Sequence, residues 1–161
     1  ILVAPFYRDI ADMLINGATA EIAAAGGTHE IVEVPGALEI PPAIAMADRM
    51  NGHDGYVALG CVIRGETSHY ETVCNESARG LMTLGLQGTL IGNGILTVEN
   101  RGQAVARADP EAMNKGAGAA AAALHLVALG RKWGGRRGGI GFLPDPERLV
   151  RPTEDEDSPR A

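Results

Sequence analysis

A histidine beside a run of small and polar residues is the first feature of this sequence that could do chemistry. His69 follows the segment RGETS at residues 64–68, which comes directly after an apolar run that ends at Ile63. Histidine gains or loses a proton near neutral pH, so it suits general acid or base catalysis. Most isolated histidines are structural or surface residues, however, and this run alone leaves a catalytic and a structural role equally open.

The residues around His69 predict a strand that passes into a helix through a polar turn. Residues 56–63 are almost continuously apolar, as in a parallel strand covered on both faces. Ser68 and Glu71 have the spacing of a capping box, which predicts a helix start. The free amides and the dipole of a helix N-terminus favour an anion. The stretch 55–86 therefore predicts an anion site with His69 at its mouth.

Three further side chains are predicted to lie at or near strands. Phe6 follows the first strand, where an aromatic ring either stacks on a planar substrate or fills the core. Glu39 lies in the rigid turn PGALEIPP at 35–42, where a carboxylate either accepts hydrogen bonds from ligand hydroxyls or partners a helix dipole. Asn93 stands between two glycines, where it either contacts a ligand or suits the turn.

The order of elements predicts four strand–helix units in one domain. This indicates the α/β class: a single-domain three-layer α/β/α sandwich with a four-stranded, mainly parallel sheet, as in flavodoxin-like folds. Glycines at 92 and 94 predict either a bulge or a close backbone approach in the fourth strand. The predicted strands are 1–4, 28–34, 56–63 and 89–98, and the predicted helices are 10–25, 41–49, 68–86, 100–108 and 115–129, the last of them ended by Gly130.

The carboxyl-terminal residues differ in composition from the rest of the chain. Residues 133–161 are rich in glycine and proline and contain an acidic run at 154–157, so they have little to bury. The sequence therefore predicts an α/β domain over 1–132 and a disordered tail over 133–161.

Composition limits the class of partner. The 161 residues carry a net charge of -6, which argues against general nucleic-acid binding and favours a small-molecule partner. Cys61 and Cys74 match no zinc-binding spacing and are expected to be buried thiols, so no metal site is predicted. No apolar run is long enough to span a membrane, and no secretory pattern opens the chain. A cytoplasmic protein is expected.

Four ordered motifs resemble one family of enzymes. They are VPGALEIP at 34–41, GCVIRGETSHYETVCNESARGL at 60–81, GNGILTVEN at 92–100 and NKG at 114–116. Together they resemble the lumazine synthase family, and the resemblance extends over nearly all of residues 1–129. It implies the penultimate step of riboflavin synthesis, in which a ribitylaminouracil condenses with a dihydroxybutanone phosphate. It also implies no cofactor, no metal, and a homo-oligomer built from pentamers.

The resemblance further implies roles for single residues. Phe6 would stack on the pyrimidine, Ala37 and Glu39 would contact the ribityl chain, and His69 would transfer protons. The other implied contacts are Val62 and Ile63 at the ring edge, Asn93 at the substrate, and Glu66, Thr67, Arg107 and Lys115 at the phosphate, with Arg107 coming from a neighbouring subunit.

Two other functions remain open from the sequence. One is a non-catalytic flavin-binding or cage-forming assembly protein of the same fold, because Asn93 stands where many family members have an aromatic residue. The other is a general flavodoxin-like module for phosphorylated ligands. That hypothesis accounts for the predicted anion site but not for the motifs elsewhere in the chain.

Overall fold

The sheet is parallel and has four strands. The structure is a computed structural model that describes residues 1–50 and 52–134. Within this part of the chain the strands pair in the order β2-β1-β3-β4, all parallel. The strands are β1 (Leu2–Val3), β2 (Val32–Glu33), β3 (Tyr56–Ile63) and β4 (Ile91–Val98). The predicted α/β class with a four-stranded parallel sheet is confirmed.

Helices cover both faces of the sheet, which gives three layers. The helices of the described residues are α1 (Arg8–Ala24), α2 (Ile40–Arg49), α3 (His69–Leu86), α4 (Arg101–Ala108) and α5 (Lys115–Gly134), with a 3₁₀ turn at Ala37–Glu39 before α2. Helices α1, α4 and α5 bury their apolar side chains against one face of the sheet. Helices α2 and α3 pack on the other face. His69 and α4 therefore belong to opposite layers.

Strand β3 is apolar along nearly its whole length because both of its faces are covered. Val57, Leu59 and Cys61 point into the core shared with α1, α4 and α5. Tyr56 and Ala58 point into the core shared with α2. All five side chains are less than 10% exposed. Successive strand residues alternate between the faces, so a strand with two covered faces has few positions for polar residues.

Strand β2 is shorter than predicted. The apolar residues at 28–34 predicted a full strand, but only Val32 and Glu33 join the ladder, and both are exposed. The sheet ends at β2, whose partner β1 is itself two residues long. Few backbone groups are therefore available for pairing with residues 28–31, and the sequence pattern alone does not reveal this.

Strand β4 is continuous through its glycines. Gly92, Asn93 and Gly94 pair one to one with successive residues of β3, so the predicted bulge is absent. The alternative prediction, a close backbone approach, is correct. A β-carbon at Gly92 would overlap the backbone of Ala119 in α5. The glycines allow α5 to lie directly on the strand.

Two helix ends agree with the sequence signals. Helix α1 ends in a Schellman motif, in which Gly26 takes a φ of 73° and Gly27 donates to the carbonyl of Ile22 at 2.9 Å. Helix α4 begins at the predicted cap, where the side chain of Asn100 accepts from the backbone N–H of Gln103 at 3.0 Å. Both signals are local, so the sequence alone predicts them.

Two other helix ends depart from their sequence signals, although α3 starts where predicted, directly after Ser68. Helix α5 does not stop at Gly130 but continues to Gly134, because a glycine weakens a helix without forbidding it. Two residues assigned to the tail, Trp133 and Gly134, therefore belong to α5, whereas residues 135–161 lie outside the described part of the chain. Ser68 does not cap α3: its backbone is already helical and its side chain makes no capping hydrogen bond.

Candidate active site

A cavity of about 500 Å³ opens at the carboxyl ends of β1 and β3. Ligands commonly bind at this edge of open α/β sheets. The walls come from the loop after β1, the turn before α2, the end of β3 and the first turns of α3. The lining residues are Ala4, Phe6, Tyr7, Pro35, Gly36, Ala37, Leu38, Glu39, Cys61, Val62, Ile63, Gly65, Thr67, His69, Tyr70 and Val73.

The cavity brings together seven of the residues singled out in the sequence. They come from three separate segments of the chain: Phe6, Ala37, Glu39, Val62, Ile63, Thr67 and His69. An apolar wall with a few polar groups is the usual composition of a small-molecule site.

Phe6 stands at the cavity with most of its ring open. Its side chain is 75% exposed, so it does not fill the core. The ring meets Tyr7 edge to face, with the two centroids 5.0 Å apart and the planes at 75°. This contact holds one edge of the Phe6 ring and leaves ring surface available for stacking on a planar ligand.

Glu39 lies over a glycine at the turn before α2. A β-carbon at Gly36 would come within 2.9 Å of Oε2 of Glu39, so this glycine leaves room for the carboxylate. The backbone of Gly36 is extended, with a φ of -156°, so a larger residue here would not strain the main chain but would displace the Glu39 carboxylate. The exposed carboxylate can accept hydrogen bonds from ligand hydroxyls.

His69 is the first residue of α3, and its side chain is exposed at the cavity. Its backbone N–H donates to Oγ1 of Thr67 at 3.4 Å. In the described part of the chain, the backbone N–H groups of residues 65–68 donate to no backbone carbonyl. The turn therefore presents free donors beside an imidazole, which is an arrangement suited to a phosphate and to proton transfer.

Cys61 is a buried thiol at the cavity floor. Burial raises its pKa to about 11, and the nearby Asp9 carboxylate acts in the same direction while Arg101 opposes it. The thiol is therefore protonated near neutral pH and is a poor nucleophile. Cys74 is half-buried on α3, and neither cysteine forms a disulfide.

Four of the sequence-predicted residues do not line the cavity of their own chain: Glu66, Asn93, Arg107 and Lys115. Asn93 is exposed on the edge strand β4, where its Oδ1 accepts from the N–H of Ile95 at 2.9 Å. Arg107 donates from Nη1 to the carbonyl of Gln103 at 3.1 Å on α4. Glu66 and Lys115 are exposed.

Tyr7, Tyr70 and Val73 were missed as site residues. Tyr70, Val73, Ser77 and Leu81 recur at helical spacing, which by itself indicates an apolar stripe of α3 that faces the sheet. Ser77 and Leu81 are buried. Val73 lies four residues after His69 and so shares its helix face, which is a signal that could have placed it at the cavity.

The described residues contain neither a metal-binding cluster nor a membrane-spanning helix. Residues 1–50 and 52–134 contain no group of three or more His, Cys, Asp or Glu side chains placed to hold a metal ion. None of the helices in these residues is long and apolar enough to cross a membrane.

The fold and the cavity define a class: a parallel α/β protein with a cavity of small-molecule size at the carboxyl edge of its sheet. The family model described as 6,7-dimethyl-8-ribityllumazine synthase matches residues 1–131. The chain belongs to this family.

Similar proteins carry the name 6,7-dimethyl-8-ribityllumazine synthase. The one from Jannaschia sp. (strain CCS1) is 55% identical over 144 residues, which cover 89% of this chain and 81% of the relative. The one from Novosphingobium aromaticivorans is 57% identical over 133 residues, covering 83% and 96%. The one from Sphingopyxis alaskensis is 56% identical over 134 residues, covering 83% and 95%.

Proposed function

We propose that the chain is a lumazine synthase. It condenses 5-amino-6-(D-ribitylamino)uracil with 3,4-dihydroxy-2-butanone 4-phosphate to give 6,7-dimethyl-8-ribityllumazine, phosphate and water in riboflavin biosynthesis. The observation that carries the proposal is the family match over residues 1–131, joined to a cavity that gathers Phe6, Glu39 and His69. The cavity volume also suits a ligand of this size.

The pyrimidine ring is assigned to the space between the loop after β1 and the end of β3. Phe6 offers an open aromatic face there, and stacking on a planar heterocycle covers that face from water. Val62 and Ile63, the last residues of β3, are half-buried and border the same space. We assign them to the edge of the ring.

The ribityl chain is assigned to the turn before α2. A polyol needs hydrogen-bond acceptors as well as a surface to lie on, and Glu39 provides an exposed carboxylate. Ala37 is buried beneath it and borders the cavity without competing for the hydroxyl groups. Ala37 and Glu39 hold the ribityl end of the substrate, which is the end distant from the reacting amine.

The phosphate and the proton transfers are assigned to the turn before α3. The amides of residues 65–68, including those of Glu66 and Thr67, are free to donate to phosphate oxygens. The 5-amino group adds to the ketone, water leaves as the imine forms, and phosphate departs. The ribitylamino nitrogen then closes the second ring with loss of another water, and His69 accepts and returns the protons that these steps move. Amine and ketone react without a covalent enzyme intermediate, so most of the acceleration comes from positioning. The proposal includes no cofactor.

A neighbouring chain is proposed to complete the phosphate site. Among residues 1–50 and 52–134, no lysine or arginine lines the cavity, although a bound phosphate is strongly anionic. Arg107 lies in the layer opposite His69, so we assign it, with Lys115 and Asn93, to the cavity of an adjacent subunit. An assembly of pentamers is the matching oligomer. An apolar contact surface for this oligomer is supported by four large side chains, on α3 and on or directly after α2, that are more than half exposed: Met46, Met50, Met82 and Leu86.

A cytoplasmic location belongs to the same proposal. Both cysteines of the chain are free thiols, which suits a reducing compartment.

The first experiment follows lumazine absorbance after both substrates are mixed with the purified protein. Formation of lumazine well above the uncatalysed rate is expected. If flavin or lumazine bound without any acceleration, the enzyme would be excluded and a non-catalytic binding protein favoured.

A second experiment tests the shared site. His69→Ala and Arg107→Ala variants are each expected to be weakly active, and light scattering of each is expected to give a multiple of five chains. When the two are unfolded, mixed and refolded together, some sites receive wild-type His69 and wild-type Arg107 from different chains. Activity should then rise above the sum of the parents. No rise would place Arg107 outside the neighbour's site.

A further inference from the structure

Arg64 joins the end of one strand to the elements on either side of it. Its backbone N–H donates to the carbonyl of Val98 at 2.9 Å, which extends the β3–β4 ladder by one residue. The main chain of Arg64 is thereby fixed to the sheet. Its side chain does not line the cavity.

The guanidinium of Arg64 pairs with carboxylates from two different elements. Nη1 contacts Oε1 of Glu71, in the first turn of α3. Nε donates to Oε2 of Glu99 at 2.6 Å, in the segment between β4 and α4. A planar guanidinium directs donors along fixed directions, so one side chain can hold both carboxylates in a defined relation. Arg64 holds the pKa of Glu71 below its usual range, which keeps that carboxylate charged.

The same guanidinium lies over the ring of Tyr70. The distance from its central carbon to the ring centroid is 4.1 Å, which is a cation–π contact. Tyr70 follows His69 directly and lines the cavity. Arg64 therefore contacts both residues that come next after His69 in the chain.

The start of α3 lacks the anchor that its sequence predicts. Ser68 makes no capping hydrogen bond, and the contact of Thr67 with the N–H of His69 is long at 3.4 Å. A helix start without a cap is free to fray. Arg64, through its pairing with Glu71 and its contact with Tyr70, thus ties the first turn of α3 to the sheet.

We propose that Arg64 is a positioning residue: it fixes the first turn of α3, and with it His69 and Tyr70, against the ends of β3 and β4. This role rests on the proposed function, since it matters for turnover through the placement of His69. An isolated exposed ion pair contributes little to stability, so the expected effect of losing Arg64 is on geometry more than on folding. A misplacement of about 1 Å can cost up to about a hundredfold in rate.

The test compares Arg64→Ala and Arg64→Lys with a matched control, Arg79→Ala. Arg79 lies on the same helix, is 74% exposed and pairs with Glu76 three residues earlier, away from the cavity. The expected result for Arg64→Ala is a fall in kcat of about ten- to a hundredfold. The KM for the ribitylaminouracil should change little, because Phe6 and Glu39 lie on other segments. Arg64→Lys should recover part of kcat, because an ammonium keeps the positive charge but lacks the planar guanidinium whose donors reach both carboxylates.

A second measurement does not depend on turnover. Hydrogen exchange of the amides that donate to the carbonyls at the start of α3, beginning with Thr72, which donates to Ser68, should be faster in Arg64→Ala than in the wild type, and unchanged in Arg79→Ala. Exchange equal to that of the wild type in Arg64→Ala would overturn the proposal, as would a kcat within twofold of the wild type. If the wild-type chain forms no lumazine, the proposed function fails, and the exchange result then decides the positioning role by itself.

Discussion

Gly92 faces the backbone of α5 so closely that a β-carbon there would lie 1.9 Å from the carbonyl oxygen of Ala119. The contact joins the edge strand β4 to the helix that covers it. Because the obstacle is backbone, no side-chain rotation can relieve it. The packing of α5 on the sheet therefore depends on a hydrogen at this position.

Replacing Gly92 with alanine should destabilise the fold. The helix would have to move off β4, and overpacking of this kind costs about 1–3 kcal/mol or more. Chemical denaturation of the variant and the wild type measures the difference. Gly118→Ala is the matched control in α5, since nothing lies within 4 Å of its added β-carbon. The control should be neutral or more stable by up to about 1 kcal/mol. Equal stability of Gly92→Ala and the wild type would contradict the packing argument.

Removing the imidazole of His69 should slow the reaction while leaving phosphate binding intact. General acid–base catalysis typically contributes about a hundredfold or more, so His69→Ala should lose at least that factor in kcat. Steady-state kinetics and a phosphate titration provide the two readouts. His125→Ala, on the exposed surface of α5, should behave as the wild type. Unchanged turnover of His69→Ala would remove this residue from the mechanism.

Phe6→Leu should weaken binding of the heterocycle without weakening the fold. Aromatic stacking contributes about 0.5–1.5 kcal/mol, so the Kd for the ribitylaminouracil should rise about two- to tenfold. The melting temperature should stay the same because the ring is already 75% exposed. Trp133→Leu, at another exposed aromatic far along α5, serves as the control. An unchanged Kd for Phe6→Leu would argue against stacking.

The Cys61 thiol should make stability depend on alkaline pH. Its pKa is raised by burial from 9.0 to about 11, so the folded state holds the proton more tightly than the unfolded chain. The stability that follows is fully present below about pH 9 and is lost as the pH rises towards about 11. The free energy of unfolding of the wild type, relative to Cys61→Ala, should fall across this range. A constant difference between the two proteins would show that the thiol does not titrate as expected.

The sequence predicts those parts of the fold whose causes are local. The Schellman glycines after α1 and the Asn100 cap of α4 are set by residues a few positions apart, and both are found as expected. Ser68 carries an equally good local signal, and α3 starts directly after it, yet its side chain makes no capping hydrogen bond. The first turn of α3 is instead contacted by Arg64, which pairs with Glu71 and lies over the ring of Tyr70. Such contacts depend on which elements meet in space, and a local pattern does not contain that information.

The cavity, too, is predicted from the sequence only in part. The stretch around His69 indicates an anion site by itself, because strand, turn and helix follow one another there. The position of His69 near Phe6 and Glu39 depends on the strand order β2-β1-β3-β4, which no single segment encodes. The ordered motifs predicted this convergence through the family resemblance. Tyr70 and Val73 were missed because their apolar side chains fitted the helix stripe equally well.

In the described part of the chain, the residues that line the cavity all lie between Ala4 and Val73, and β4, α4 and α5 contribute none of its wall. Under the proposed function, the first half of the chain recognises the heterocycle, and the second half supplies the groups that reach a neighbouring copy. The two halves of the chain can therefore be exchanged independently between related proteins. A crossover between related chains in the loop at 87–90 would keep the walls of the pocket and exchange Asn93, Arg107 and Lys115, the groups proposed to reach a neighbouring copy.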